Sequence, residues 1–268
     1  ARGPMRKNNR EFLIELFALL AITIVVHAIY TAVIRPRAAA DLAVQQAAMV
    51  QDQSYVAPRS FWIVMKDWEQ EACVILAAWA IVVMVMRVQG TRRSRRLLER
   101  DYLHLPEGLR VLPEDSREYL RQVESLPPVE RDQLLPRSLH TALERFGATR
   151  SVQDASAAAR NVCQMENERL DSELSMIRFV AWAIPAIGFI GTVRGIGDSL
   201  QQAHKAIEGD VSGVTAGLGV AFNSTLIALV LSIVVMFFMH QLQLLQERLV
   251  LDTENYVDDR LLRRLHVR

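Results

Sequence analysis

The sequence predicts an all-α, polytopic membrane protein, because its charged residues are segregated along the chain. Of 268 residues, 51% are hydrophobic and 23% are charged, which are ordinary averages for a soluble protein. However, charge is almost absent from several long stretches and crowded into others, as in membrane proteins with a water-exposed part. The polar part shows none of the apolar–polar alternation that strands require. We therefore expect four membrane-spanning helices and a helical polar domain, in which Gly147 ends one helix and Ser151 caps the next.

The composition also argues against several classes of function. The formal net charge is +1, whereas a nucleic-acid-binding domain normally carries a basic excess. The two cysteines, Cys73 and Cys163, form no Cys-x-x-Cys motif, so neither a disulfide framework nor a zinc site is expected. The six histidines do not cluster. We therefore predict that the chain is not an enzyme and carries no cofactor.

The first predicted span covers residues 12–34, and only Glu15 and His27 interrupt its apolar character. These two residues could form a proton relay, although pairing between helices or an interfacial position is the favoured interpretation. The alternative for this segment is a cleaved signal peptide, because three alanines follow it at residues 38–40. The apolar run exceeds a signal core, however, and Arg35 stands where a small neutral residue is needed.

The other three spans differ in length. The last, residues 211–239, has no charge and exceeds the roughly 20 residues that a crossing needs. The second and third, residues 71–88 and 176–197, contain shorter apolar runs, so three spans remain the alternative. Arg178 and Arg194 flank the third run, where long basic side chains can reach the headgroups.

The basic residues predict the orientation of the spans, because cytoplasmic segments carry an excess of Lys and Arg. The N-terminus and the run of Arg92, Arg93, Arg95 and Arg96 are expected inside, although Arg35, Arg37, Arg59 and Lys66 fall in the expected outer loop. The predicted order is a cytoplasmic N-terminus (1–11), first span (12–34), periplasmic loop (35–70), second span (71–88), cytoplasmic helical domain (89–175), third span (176–197), periplasmic link (198–210), fourth span (211–239) and cytoplasmic helical tail (240–268).

Small residues line one face of each of the last two spans. In the third span they are Gly188, Gly191 and Gly195, and in the fourth they are Gly213 and Gly217. Such faces let helices approach closely in lipid. We expect them to pack around an axis in a closed ring of five copies, with Pro185 bending the third span.

Polar residues lie in the middle of the uncharged fourth span: Asn223, Ser224 and Thr225. Such groups cost free energy in lipid unless they are paired or hydrated, so they usually line an interior or a water path. In the third span, Thr192 stands between the glycines. A purely structural role remains open for each of these residues, because Ser and Thr side chains often donate a hydrogen bond to a carbonyl of their own helix.

Together these residues resemble the MotA/TolQ/ExbB proton-channel family. The pattern is Pro-x-x-Gly-x-x-Gly-Thr-Val-x-Gly-Ile from Pro185, with a threonine about 30 residues later, and the likeness covers roughly residues 150–245. The resemblance implies five copies around two single-span subunits similar to MotB, TolR or ExbD, in a bacterial inner membrane. It also implies that a partner aspartate carries the ion, more likely H⁺ than Na⁺ by analogy, and that Thr192 and Thr225 line its path, beside Ser224 and Asn223.

The sequence departs from part of the family at one position. Members similar to TolQ and ExbB have a glutamate five residues before the second threonine, where this chain has Val220. A proton-carrying acid in this subunit is therefore not expected, and the four-span layout is more similar to MotA.

The functional hypothesis is an ion-channel-forming subunit of a motor or energy transducer. A non-conducting pentameric scaffold is the first alternative, and a secondary transporter, which would show an inverted repeat, is the second. Asp198 could mark the periplasmic mouth or be a solvated loop acid. The arginine run from Arg92 could be a docking site for a cytoplasmic partner or only a topology signal.

Overall fold

The computed structural model describes residues 4–51, 58–103 and 110–267, with side chains from residue 12 onward except at residue 50. The predicted segments 1–11, 35–70, 89–175 and 240–268 therefore include some residues that lie outside this description. Within the described residues, all regular elements are helical, apart from one bridge between Val111 and Leu265.

The helices follow one another with short connections. They are α1 (Pro4–Ile29), a π-helical turn (Tyr30–Ile34), α2 (Arg35–Gln51), α3 (Phe61–Met65), α4 (Trp68–Leu97), α5 (Ser116–Glu124), α6 (Pro128–Arg131), α7 (Leu134–Thr149), α8 (Val152–Gln201), α9 (Ala203–Ile207), α10 (Ser212–Arg260) and a 3₁₀ turn (Leu262–Arg264). The chain divides into two compact units: residues 1–84 with 176–239, called the membrane unit, and residues 85–175 with 240–268, called the second unit.

Four helical segments are long and apolar enough to cross a membrane, which confirms the predicted all-α chain with four candidate spans. They are Phe12–Met49, Trp68–Leu97, Val152–Gln201 and Ser212–Arg264. All four extend beyond the spans that the sequence predicted. The second helix begins at Trp68 and not at residue 71, so Glu69 and Gln70 belong to a spanning helix. Residues 35–51, which we expected in a loop, continue the first helix through the π turn.

The π turn aligns a buried stripe on the first helix. Val26, Tyr30, Ile34 and Ala38 are buried and lie four residues apart. An α-helix has 3.6 residues per turn, so side chains at this spacing drift steadily around it. The wider i→i+5 turn at Tyr30–Ile34 compensates for that drift. As a result, one face of α1 and α2 stays turned inward, where Trp62, Val74 and Ile75 pack against the buried cluster.

The second unit has a conventional hydrophobic core, whose members are Leu103, Val111, Val123, Leu139, Leu143, Phe146, Ala155, Val257 and Leu261 with their neighbours. As the sequence predicted, Ser151 caps α8, because its Oγ accepts a hydrogen bond from the N–H of Asp154 at 3.2 Å. The expectation that Gly147 ends a helix was wrong. Gly147 lies inside α7 against Ser116, and α7 ends at Arg150, whose φ of 53° is left-handed.

Candidate functional site

Within the membrane unit, α8 and α10 approach closely at their glycines. A Cβ built on Gly195 would lie 2.5 Å from the carbonyl oxygen of Gly217 and 2.6 Å from the amide nitrogen of Ala221. Both atoms belong to the backbone, so no side-chain rotation could relieve the clash. A Cβ built on Gly188 would lie 2.5 Å from Ala228 Cβ, a side-chain atom that also cannot rotate away. The small faces that we expected around a ring axis therefore meet inside a single chain.

Two hydroxyl groups meet across this glycine contact. Thr192 Oγ1 of α8 and Thr225 Oγ1 of α10 are hydrogen-bonded to each other. Both also lie 3.2 to 3.4 Å from the carbonyl oxygens of Gly188 and Ala221. Each hydroxyl has one proton and two lone pairs, so the two groups can exchange donor and acceptor roles without moving their helices. We call this pair the threonine contact.

The other two polar residues predicted in this path have other hydrogen-bond partners than the two threonine hydroxyls, although Ser224 shares the Ala221 carbonyl oxygen with them. Ser224 is buried and donates to the carbonyl oxygens of Val220 and Ala221 in its own helix, at 2.8 and 3.1 Å. Asn223 accepts a hydrogen bond from the guanidinium of Arg59 at 3.0 Å. The sequence grouped these neighbours together, but successive residues of a helix point in different directions.

Pro185 lies inside the continuous helix α8. A proline has no N–H, so the carbonyl oxygen of Ala181, one turn earlier, has no helical donor. The hydroxyl of Ser232 in α10 donates to this oxygen at 2.9 Å, and the bond is buried. No local sequence pattern selects Ser232, because its partner is 51 residues away. This bond ties α10 to the interrupted turn of α8.

A charged contact joins α8 to α4. The guanidinium of Arg194 binds both oxygens of Glu69, with Nε 2.6 Å from Oε1 and Nη2 2.9 Å from Oε2. This two-point geometry is the strong form of an Arg–carboxylate pair. The carboxylates of Asp67 and Asp198 each lie 3.8 Å from the same guanidinium. Because Glu69 is fully buried, its charge depends on Arg194 for compensation.

A second charged contact joins α4 to the first helix. One oxygen of Glu71 lies 2.6 Å from His27 Nδ1, and the other accepts a hydrogen bond from Arg35 at 2.6 Å. The favoured pairing of His27 between helices is thereby confirmed, with Glu71 as its partner. Arg35, which departed from the expected charge pattern, has a local partner in the membrane unit.

Gly191 is the point where the hydroxyl and charged contacts adjoin. A Cβ built there would lie 2.3 Å from Ser224 Oγ of α10 and 3.2 Å from Glu69 Cγ of α4. Three spanning helices therefore converge on one glycine, one residue before Thr192.

Comparison with known proteins agrees with this geometry. The sequence model of the MotA/TolQ/ExbB proton channel family matches residues 130–255. Over these residues, just under half of the chain, the protein is similar to this family. The matched segment contains the threonine contact, Pro185 and the glycines of α8 and α10. No curated protein and no solved structure matches the chain.

The match to the MotA/TolQ/ExbB family, together with the four apolar helices, supports a multi-pass membrane protein of the proton-channel type. Members of the family are channel and transducer proteins that work with partners of the MotB, TolR or ExbD type. Glu69, Glu71 and Arg35 lie outside the matched segment and were not selected from the sequence. The available signal was two glutamates within one turn at the start of an apolar run, which we had assigned to a loop boundary.

The remaining predicted residues are distributed as follows. Asp198 lies in the last turn of α8, about half exposed, near Arg194. In the arginine run, Arg95 lies 3.4 Å from Asp252, and Arg92, Arg93 and Arg96 are exposed. Among the described residues, no group of His, Cys, Asp or Glu side chains could hold a metal ion.

Proposed function

We propose that the chain is the channel-forming subunit of an ion-driven motor complex in a bacterial inner membrane. Five copies surround two copies of a single-span partner of the MotB, TolR or ExbD type, whose membrane aspartate carries the ion. The ion is a proton, and its movement is converted into rotation or other mechanical work. Both termini and the arginine run that includes Arg93 face the cytoplasm, and Gln51 and Lys205 face outward.

The observation that carries this proposal is the hydrogen bond between Thr192 and Thr225. In a low-dielectric setting, burying a hydroxyl group costs free energy unless the group has a hydrogen-bond partner. Here each hydroxyl also has a helix carbonyl within reach, so either can turn toward a third group and leave the other satisfied. A neutral pair of this kind does not repel a partner carboxylate. It can order a water or donate a hydrogen bond beside that carboxylate.

The charged groups of the membrane unit support the proposal that the mobile proton is carried by the partner. Val220 stands where members similar to TolQ and ExbB have a glutamate. Glu69, a buried acid beside Gly191, is held at two points by Arg194. This strong two-point ion pair ties its carboxylate to one cation. The exchanging carboxylate is therefore expected on the partner.

The test replaces each threonine by valine, which keeps the shape of the side chain and removes only the hydroxyl. We expect Thr192→Val and Thr225→Val to assemble normally and to abolish proton flux, whereas Thr→Ser at either position retains part of it. The complex is purified from native membranes through a tag on this chain. Flux is measured in proteoliposomes with an internal pH-sensitive dye, and assembly is measured by native mass spectrometry.

Ser224→Ala is the matched control, because this hydroxyl is one residue away and donates only to its own helix. It should conduct normally. Normal flux through both valine variants would show that the hydroxyls are structural. An absence of flux through the unmodified complex would instead favour a non-conducting pentameric scaffold, the alternative that Val220 supports. A monomer or dimer as the stable species would contradict the ring of five.

A further inference from the structure

Three buried polar atoms of the membrane unit lack a hydrogen-bond partner among the described residues. They are the hydroxyl of Tyr30, Oδ2 of Asp67 and Oε1 of Gln70. The side chains of Tyr30 and Gln70 are 1% and 0% exposed. Buried polar groups are nearly always paired with protein or with ordered water, so three exceptions in one unit require an explanation.

The three atoms belong to one packing region. Gln70 and Val74 are four residues apart on one face of α4, and Asp67 directly precedes this helix, where its carbonyl oxygen accepts a hydrogen bond from the N–H of Glu71 at 3.3 Å. Val74 packs against the buried cluster that contains Tyr30. On either side of Tyr30 in the first helix, His27 and Arg35 both bind Glu71, the residue after Gln70. The π turn, by keeping Tyr30 on the buried stripe, directs its ring toward this face of α4.

The chemistry of the three atoms is complementary to one water molecule. A neutral tyrosine hydroxyl can donate one hydrogen bond, whereas the carboxylate and amide oxygens can only accept. Water accepts from one group and donates to two others with its two protons. Three hydrogen bonds are typical of a buried water in a protein. One donor together with two acceptors matches the hydrogen-bonding groups of water more completely than two acceptors or one hydroxyl would.

We propose that Tyr30, Asp67 and Gln70 bind a buried water at the contact between the first helix and α4. The second part of the inference rests on the proposed function: this water is a stage on the proton route toward the threonine contact. Asp67 connects the two regions, because its other oxygen, Oδ1, lies 3.8 Å from the guanidinium of Arg194, on the helix that carries Thr192.

The water site is tested by Tyr30→Phe, which removes one oxygen and leaves the ring in place. If the hydroxyl binds water, its loss weakens that site, and the melting temperature of the complex falls by about 2 to 4 °C. If the hydroxyl is truly unpaired, its removal relieves a penalty, and the melting temperature stays the same or rises. The sign of the shift therefore separates the two cases.

Hydroxyl-radical footprinting of the unmodified complex gives a second readout, since radicals form from bound water beside a side chain. The peptide containing Tyr30 should be oxidised despite its burial. Phe146, which is equally buried in the apolar core of the second unit, is the control and should stay unmodified. An unchanged or higher melting temperature of Tyr30→Phe overturns the water site, and so does equal oxidation of the two peptides.

Proton flux through the same variant tests the role of the water. We expect Tyr30→Phe to reduce flux while the complex assembles normally. Normal flux in Tyr30→Phe, together with no flux in Thr192→Val, would overturn the relay and leave a structural water. If Thr192→Val and Thr225→Val both conduct normally, the proposed path fails, but the melting temperature and the footprint still decide whether water is bound.

Discussion

The two polar contacts that α8 makes in the membrane unit differ in charge and in the number of groups that share them. Toward α10, Thr192 and Thr225 form a neutral contact whose members have alternative acceptors within reach. Toward α4, Arg194 and Glu69 form an ionic contact in which one fully buried carboxylate depends on one cation. The first contact can lose a member and stay satisfied, whereas the second cannot.

This difference separates groups that can change partners from groups that hold helices in place. A buried ion pair is a poor source of net stability, because both ions lose their hydration. Breaking it from one side is nevertheless expensive, since an uncompensated charge remains. A hydroxyl pair loses little when one member is replaced, because the net value of a neutral hydrogen bond is about 1 kcal/mol. We therefore assign the anchoring role to Glu69 and Arg194, and the functional role to the threonines.

The largest expected effect follows from breaking the ionic contact on one side. Arg194→Gln leaves Glu69 buried without its cation and should lower the free energy of unfolding by about 3 to 5 kcal/mol. The combined variant Glu69→Gln with Arg194→Gln should be more stable than Arg194→Gln alone, because two amides can pair without charge. Denaturant unfolding of the purified protein in detergent measures both. An equal decrease in the free energy of unfolding of the two variants would contradict the anchoring role.

An intermediate effect is expected from widening the contact between α8 and α10. In Gly195→Ala the new methyl would meet backbone atoms of Gly217 and Ala221, so the helices must separate at a cost of about 1 to 3 kcal/mol. Gly197 is two residues along the same helix, and a Cβ there meets nothing within 4 Å. Gly197→Ala should instead stabilise the protein by about 0.5 to 1 kcal/mol. Thermal unfolding of both variants checks the opposite signs, and similar melting temperatures would show that the helices are not held this close.

The smallest effect is expected from removing the Ser232 hydroxyl, which donates a hydrogen bond to the carbonyl oxygen that Pro185 leaves without a helical donor. Ser232→Ala leaves the carbonyl of Ala181 without a donor beside Pro185 and should cost about 1 kcal/mol. Ser224→Ala removes a serine of the same helix that donates only locally, and should be nearly neutral. The Pro185→Ala background supplies the missing N–H, so there the cost of Ser232→Ala should shrink. An undiminished cost in that background would mean that Ser232 acts elsewhere.

The sequence was sufficient where the relevant residues are close along the chain. Uncharged runs predicted the four spans, and Ser151 at the start of a polar helix predicted its cap. The ionic contacts could not be predicted from local sequence patterns, because Glu69 and Arg194 are 125 residues apart. The sequence-based prediction ended the helix containing Gly147 too early, because a glycine often follows the last residue of a helix. Here the absence of a side chain serves packing against Ser116.

The buried stripe on the first helix shows a related limit. Its four-residue spacing is visible in the sequence, but the surrounding residues are also apolar, so a hydropathy pattern cannot distinguish the inward face from the exposed one. Phe12, Phe17 and Ile24 of the same helix are largely exposed. In lipid, apolar side chains are favourable on both sides of a helix, and composition no longer marks the interior.

The π turn at Tyr30–Ile34 amounts to one inserted amino acid in an otherwise regular helix. Deleting a single residue from this segment would restore the ordinary helical repeat and leave the residues beyond it on nearly the same side, because the wider turn absorbs the one extra residue. Arg35 would then keep the side on which it meets Glu71. If a relative has a first helix that is regular throughout, an alignment without a gap in this stretch would therefore pair residues from different faces of the helix.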